Sequence, residues 1–528
     1  PGDTPQQVAR GFLDSMASYQ AGQPVAREYL SPSVSERWQP TKVLVYDSTA
    51  VPLVEPTPGK VMIDVPEVAE VGANGAWTSA TPGDKIKVDL KMTKVRGQWR
   101  IGRPPDALVM SIYNFTREYD QYNLYFFDPN FEILVPDPVY LPKRGHLQTL
   151  LVSALLRGPS PWLHPAVRSA LPEDARLAAP AVSVEGRVAT VDLDRKALGL
   201  YDPQRRFLLA QLAWTLGQIP DVDKVKVTVD RVPLGVEDVG TSAATSNWST
   251  YDPAVAGAAR GAYALSKGKV VIVGPDKLVP VSGALGKAHI SARSLAVSIY
   301  GERVSGQASD PDEPPSEDWL AAVSADGHSV RIYGSAGKSR VVFSGTDILE
   351  PSWDRSGKIW MVDRRGGHAK IVAVDNQDQL QTVGAAGLTG QDVRALKVSR
   401  DGARVAVLVE RSGQTRLLFG RVHRGDGLTI RGLRQVPVAM ASMTDLAWAG
   451  LDRVAVIGAD HGSSPRPTIV SVDGSQVDPL NAGPDAREVA AAPDQPVLLT
   501  GEDGHLHLQG TTYLWSDKGE GTCPAYPG

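Results

Sequence analysis

Ala321-Ala322-Val323-Ser324-Ala325-Asp326-Gly327-His328-Ser329-Val330-Arg331-Ile332-Tyr333 reads as strand, tight turn, strand. Short apolar runs flank Asp326-Gly327, a dipeptide suited to a two-residue hairpin. The same phrase returns at Leu396-Lys397-Val398-Ser399-Arg400-Asp401-Gly402-Ala403-Arg404-Val405-Ala406-Val407-Leu408. Weaker copies stand at Pro351–Trp360, Leu446–Val456 and Ala490–Leu499, and His289–Ser298 is a sixth that lacks the turn glycine. The copies recur every 30 to 50 residues or so, roughly the length of a four-stranded blade. One blade cannot bury both faces of its sheet, so blades stack around an axis until the ring closes. From about Tyr263 to the end, residues 263–528, we expect an all-β propeller. Six blades is the favoured count, and five or seven also fit.

Upstream of the repeat the periodicity is mixed. Thr4-Pro5-Gln6-Gln7 is a helix start, with Thr4 as N-cap, Pro5 at the first helical position and Gln7 placed for a capping box. Val8, Phe12, Met16 and Tyr19 then form one apolar stripe. Short strands at Val43–Tyr46, Val61–Val65, Lys85–Met92 and Gln98–Ile101 give that stripe a surface, so residues 1–108 are read as a helix on an antiparallel sheet. Residues 109–234 read as ββαββαβ, a second α+β unit. Its helix near Arg144–Arg157 stops at Gly158-Pro159, its tight turn falls at Glu185-Gly186, and its second helix starts at Asp202-Pro203. Residues 235–262, rich in Gly, Ala, Ser and Thr, read as a linker or a loose wrap. The fold class is therefore multidomain: two small α+β domains followed by the propeller.

The bulk composition removes several functions. With 42% apolar and 22% charged residues, the chain is an ordinary globular one able to bury real cores. A net charge of −4 and the absence of any Lys/Arg block remove the electrostatic footprint that binding to nucleic acid or a membrane surface would need, so contact with a membrane is expected only through an N-terminal lipid anchor. No apolar run reaches bilayer length. The sequence opens at Pro1-Gly2-Asp3 without a basic-then-apolar signal, so any export segment is expected outside it. The single cysteine, Cys523, excludes an internal disulfide and a multi-cysteine metal site.

Candidate chemistry is sparse. Gly334–Ser339 has the flavour of a phosphate loop, but its first glycine comes two positions late and it joins strands, so a hairpin turn is the better reading. His505 and His507, at i and i+2 on a strand, point to one face, yet two histidines do not make a metal site, and neither Asp460-His461 nor Asp503 is evidently placed to complete one. Asp192-Leu193-Asp194 and Asp221-Val222-Asp223 lack the glycine and distal glutamate of a calcium loop. Trp353, Trp360, Trp448 and Trp515 are expected to fill the space between blades. No catalytic residue, cofactor or metal is expected. The one candidate binding element is an acidic, proline-rich loop carrying Asp310, Asp312, Glu313, Glu317 and Asp318, where a partner could dock. A propeller enzyme would instead need carboxylates converging with calcium, or a serine with a histidine base, and a buried acidic cluster on the axis would be its structural sign.

The second unit carries more specific phrases. Leu155-Leu156-Arg157-Gly158-Pro159-Ser160, Leu171-Pro172, Val191-Asp192-Leu193, Leu212-Ala213-Trp214-Thr215-Leu216 and Ile219-Pro220-Asp221-Val222-Asp223-Lys224-Val225 resemble the GerMN domain of spore-germination and envelope proteins. A GerMN domain between a small α+β domain and a propeller resembles, over the whole chain, the LpqB family of actinobacterial lipoproteins. The first domain is similar in outline to nuclear-transport-factor-like folds. The resemblance implies a non-enzymatic, exported protein, held on the outer face of the cytoplasmic membrane by a lipidated N-terminal cysteine. Cys523, at the other end, is not that residue. The implied partner is the extracytoplasmic region of a sensor histidine kinase, MtrB of the MtrA-MtrB two-component system, with an effect on cell-wall metabolism and division. The alternative is a cell-wall glycan or peptide binding protein that uses the propeller funnel.

Overall fold

The computed structural model describes residues 3–57, 59–254, 261–298, 320–334, 338–481, 483–510 and 514–528. The chain divides into two units. The first comprises Pro1–Phe126, Asp137–His164 and Ser169–Asn247, and the second Phe127–Pro136, Pro165–Arg168 and Trp248–Gly528.

In the first unit, the helix Pro5–Ser15 starts as its sequence dictates. Gln7 N donates to Thr4 Oγ1 at 3.3 Å and Thr4 N donates to Gln7 Oε1 at 2.8 Å. Its stripe is buried, with Phe12 and Met16 fully so, each stabilising the domain by roughly 2 kcal/mol. It packs on a sheet ordered Gln98–Arg103, Lys85–Val95, Lys60–Val71, Lys42–Tyr46, Ala107–Ser111. The purely antiparallel sheet expected for this domain is corrected here, because Ala107–Ser111 lies parallel to Lys42–Tyr46. Every residue of that strand is buried. A short run buried on both faces has no alternation to reveal it as a strand. The strand straddles residue 108, and Phe115 of the following helix Ile112–Glu118 joins the same core.

The GerMN-like part follows the expected ββαββαβ order: Tyr119–Phe127, Leu134–Pro142, helix Leu147–Leu156, Ser183–Glu185, Val188–Leu193, helix Asp202–Leu216 and Lys224–Val229. Val188–Leu193 runs parallel to Lys224–Val229, so the helix between them is a crossover. That helix also serves the strand Tyr119–Phe127, which among the described residues lies in a two-stranded sheet and adds a single bridge from Phe127 to Arg168. Gln211, fully buried, donates through Nε2 to Tyr125 O at 2.8 Å and accepts from Ala170 N at 2.7 Å. Thr215 Oγ1 accepts from Tyr125 N at 3.3 Å, and Gln218 pairs with both backbone groups of Asn123. Side chains thus replace a missing strand, since buried backbone groups must be paired somewhere. The Thr215-Leu216 phrase is explained in the same way. In the Gly158-Pro159-Ser160 phrase, Ser160 donates through N (2.6 Å) and Oγ (2.8 Å) to the buried carboxylate of Asp137.

Residues 235–262 are not wholly a linker. Ser242–Ala243 pairs with Lys224–Val229, and Trp248 is buried within a 3₁₀ segment, Thr245–Tyr251.

The second unit holds six sheets. Their axial strands are Thr522–Ala525, Ala292–Val297, Ser352–Trp353, Asp392–Val398, Ser442–Trp448 and Ala486–Ala490. Each touches the next, and Ala486–Ala490 touches Thr522–Ala525, so the ring is closed by six sheets. The closing sheet joins both ends of the ring: Thr522–Ala525 pairs with Ala262–Ser266. This removes the open edge a lone sheet would expose.

Six sheets are present among the described residues, but the expected copies do not map one to a sheet. His289–Ser298 and Ala321–Tyr333 fall in one sheet, and the closing sheet carries none of the six copies. The reason is local. Ser-x-Asp-Gly turns join strands two and three at Ser324–Gly327, one and two at Ser399–Gly402, and three and four at Ser471–Gly474. In each, the serine Oγ donates to the aspartate and accepts the backbone N–H of Ser329, Arg404 or Gln476 at 3.0 Å. The motif satisfies any hairpin with a four-residue loop of this kind, so it marks hairpins and not blades.

Candidate functional site

The axis of the ring is nearly filled. A cavity of about 40 Å³ remains, lined by residues from all six axial strands and by Tyr526 and Gly528. That suffices for ordered water and falls far below the several hundred Å³ of a ligand pocket. The chain's last residues occupy the space: Gly528 N donates to Val297 O at 2.9 Å, and the buried Arg400 guanidinium donates to Pro527 O. Burial pulls the Arg400 pKa down to about 10.

Beside this cavity four charged side chains converge from neighbouring sheets. Lys397 Nζ contacts Glu350 Oε1 and also donates to Pro351 O at 3.3 Å. Asp445 accepts Val489 N and Leu446 N, both at 2.8 Å, and Glu488 accepts Cys523 N at 2.9 Å. Burial pushes Glu350 up to about 8 and Asp445 to about 6, with Lys397 opposing each shift. The order follows from the partners. Asp445 holds two backbone N–H donors that favour its charged form, whereas Glu350 has only Lys397. Burial, with Glu488 second, raises the Cys523 thiol to about 12, so it is an inert thiol. A half-buried acidic cluster beside the axis is therefore present, yet its oxygens already receive lysine and backbone donors. No group of three His, Cys, Asp or Glu side chains suited to a metal occurs among the described residues.

The tryptophans do what their spacing suggested. Trp353 Nε1 donates to Ala296 O of the preceding sheet at 3.4 Å, and Trp448 Nε1 to Lys397 O of the preceding sheet at 3.1 Å. Trp515 reaches Asn481 O at 3.1 Å. Trp360, buried, donates to Asp354 Oδ2, which also accepts Arg424 Nη2 from the next sheet, both at 2.8 Å. Arg404 and Asp401, both buried, pair directly, with the guanidinium over the Trp448 ring at 5.5 Å.

A second recess is larger, a cleft of about 600 Å³ among Lys267, Gly268, His289–Ala292, Asp503–His505 and Glu520–Thr522. His505 Nδ1 lies 2.9 Å from Asp517 Oδ2, and that carboxylate raises its pKa. His507 turns instead to Asp503, at 3.2 Å. Each imidazole is thus taken by its own aspartate.

Elsewhere the sequence candidates fall as follows. Asp310, Asp312, Glu313, Glu317 and Asp318 lie outside the described residues, as do residues 335–337 of the phosphate-loop-like stretch. The ends of that stretch close a hairpin, with Gly334 N donating to Lys338 O at 2.9 Å. Asp192 accepts Thr228 Oγ1 at 2.6 Å, and Asp223 pairs with Arg187. These are strand-end contacts. No helix among the described residues is long and apolar enough to cross a membrane.

The fold defines a class first: two small α+β domains ahead of a closed propeller whose axis is packed. Comparison with known proteins makes it particular. Three family descriptions match in order: "Lipoprotein LpqB, N-terminal domain" over residues 1–116, "Sporulation and spore germination" over 123–235, and "Lipoprotein LpqB beta-propeller domain" over 268–527. Lipoprotein LpqB of Thermobifida fusca is 32% identical, covering 100% of this chain and 91% of the relative, and that of Streptomyces avermitilis is 28% identical, covering 99% and 90%. The chain belongs to the LpqB lipoprotein family. Among solved structures, TolB from Acinetobacter baumannii aligns at a TM-score of 0.37 and 16% identity, over 50% of this chain and 65% of that one.

Proposed function

We propose that this chain is an extracytoplasmic, membrane-anchored envelope protein without catalytic activity. It binds the extracytoplasmic region of a two-component sensor kinase of the MtrB kind and modulates signalling in cell-wall metabolism and division. Full-length similarity to LpqB lipoproteins carries the reading. The packed axis supports it: a rigid ring with its centre filled offers outer surfaces to a macromolecule and little interior to a substrate. The test is calorimetric titration of this chain with the kinase sensor domain, together with autophosphorylation of the reconstituted kinase with and without the chain. Saturable binding and a changed autophosphorylation rate are expected. No heat of binding and identical rates would refute the proposal.

A second reading keeps a cell-wall glycan or peptide as ligand, moved from the axis to the 600 Å³ cleft, whose volume is in the range of a ligand pocket. Binding of peptidoglycan fragments that is lost in His505→Ala would favour it.

A further inference from the structure

The hairpin Lys85–Arg103 carries seven lysines and arginines against one acid, Asp89, in a chain whose net charge is −4. Alternation sends Ile86, Val88 and Leu90 into the core and Lys85, Lys87 and Lys91 outward. Pairing then does what spacing along the chain does not show. Lys91 lies directly opposite Lys60 on one side and Arg103 on the other, a row of three cations across three strands. Like charges facing each other across a sheet destabilise it. Asp89 offsets one of them, with Lys60 Nζ at 2.8 Å, and Asp64 takes Lys85 at 3.1 Å. Among the described residues, Lys87, Lys91 and Arg103 make no ion pair, and all three are exposed. The sheet maintains an unbalanced basic face at a cost to its own stability.

We propose that this sheet face docks on an anionic lipid surface, with Lys87, Lys91 and Arg103 against the headgroups. Opposite charge selects an anionic partner, and the broad face of a sheet fits a surface better than a small ligand. The choice of lipid over other polyanions rests on the membrane-anchored reading above, supported by the relatives' lipoprotein name. Each cation near an anionic leaflet adds roughly fivefold to binding, and the attraction fades within a Debye length.

The test is co-sedimentation of this chain with phosphatidylcholine vesicles that contain phosphatidylglycerol, against pure phosphatidylcholine vesicles. Binding to the anionic vesicles alone, weakened by salt, is expected. It should fall about a hundredfold in the triple variant Lys87→Gln, Lys91→Gln, Arg103→Gln. The control triple Lys269→Gln, Lys277→Gln, Lys287→Gln, on exposed propeller lysines, should bind as the parent does. Circular dichroism verifies that both variants fold. Equal binding to neutral vesicles, no binding, or undiminished binding of the first triple would overturn the proposal, as would binding to soluble polyphosphate but not to vesicles. A wrong localisation reading shows separately, as absence of the full-length protein from the membrane fraction of cells.

Discussion

Glu350 makes the propeller's stability depend on pH in a direction opposite to that of an ordinary ion-paired acid. Its pKa is 4.5 in an unfolded chain and about 8 in the ring, raised by burial. Between those values the native state keeps a proton that the unfolded state has lost, so unfolding free energy falls as pH rises. The stabilisation is complete below 4.5 and gone above about 8. Asp445 titrates near 6 for the same cause, and His505, raised above 6.5 by Asp517, adds a slope of the same sign, so the Glu350 share of the window from 6.5 to 8 is the part that disappears in Glu350→Gln. One proton over that window corresponds to about 2 kcal/mol at ~1.4 kcal/mol per pH unit. Because 27% of the Glu350 side chain remains accessible at the cavity, screening brings the expected loss to about 1 kcal/mol. Urea unfolding followed by tryptophan fluorescence should show a pH-dependent loss that is larger in the parent than in Glu350→Gln by that amount, with the variant the more stable of the two at pH 8. A parent profile flat from 6.5 to 8, or an equal slope in the variant, refutes the assignment of the proton to Glu350.

Two further substitutions probe features the fold depends on. Gln211→Leu removes the hydrogen bonds to Tyr125 O and Ala170 N, so thermal melting should report a loss of about 2 to 4 kcal/mol, and Gln211→Glu should not restore it because its carboxylate cannot donate to Tyr125 O. Asp401→Asn leaves Arg404 buried without its counter-charge and should cost about 3 kcal/mol or more, whereas replacing both residues by apolar ones should cost less than the single change; a double-mutant cycle measures the difference.

Local chemistry wrote much of this protein plainly. The Thr4 capping box, the Gly158 helix stop, the Asp202–Leu216 helix and the Asp-Gly hairpins were all legible, because each depends on contacts within a few residues. Composition and hairpin spacing were enough for a propeller after two small α+β domains, and the Gly158-Pro159-Ser160 and Thr215-Leu216 phrases were enough for the GerMN relationship. Assignments that depend on distant partners were not legible. The Ser-x-Asp-Gly turn serves any hairpin, so only pairing shows which strands share a sheet. Ala107–Ser111 lost its signature by being buried on both faces. Glu350, Lys397, Asp445 and Glu488 are far apart in the chain, and only ring closure drives them together and raises the pKa values of Glu350 and Asp445. Lys60, Lys91 and Arg103 likewise look like ordinary solvated charges until the register of three strands sets them in a row. Short-range hydrogen bonding and periodicity are properties of the chain itself. Desolvation and charge proximity are properties of the fold, and at both of these sites they decide the chemistry.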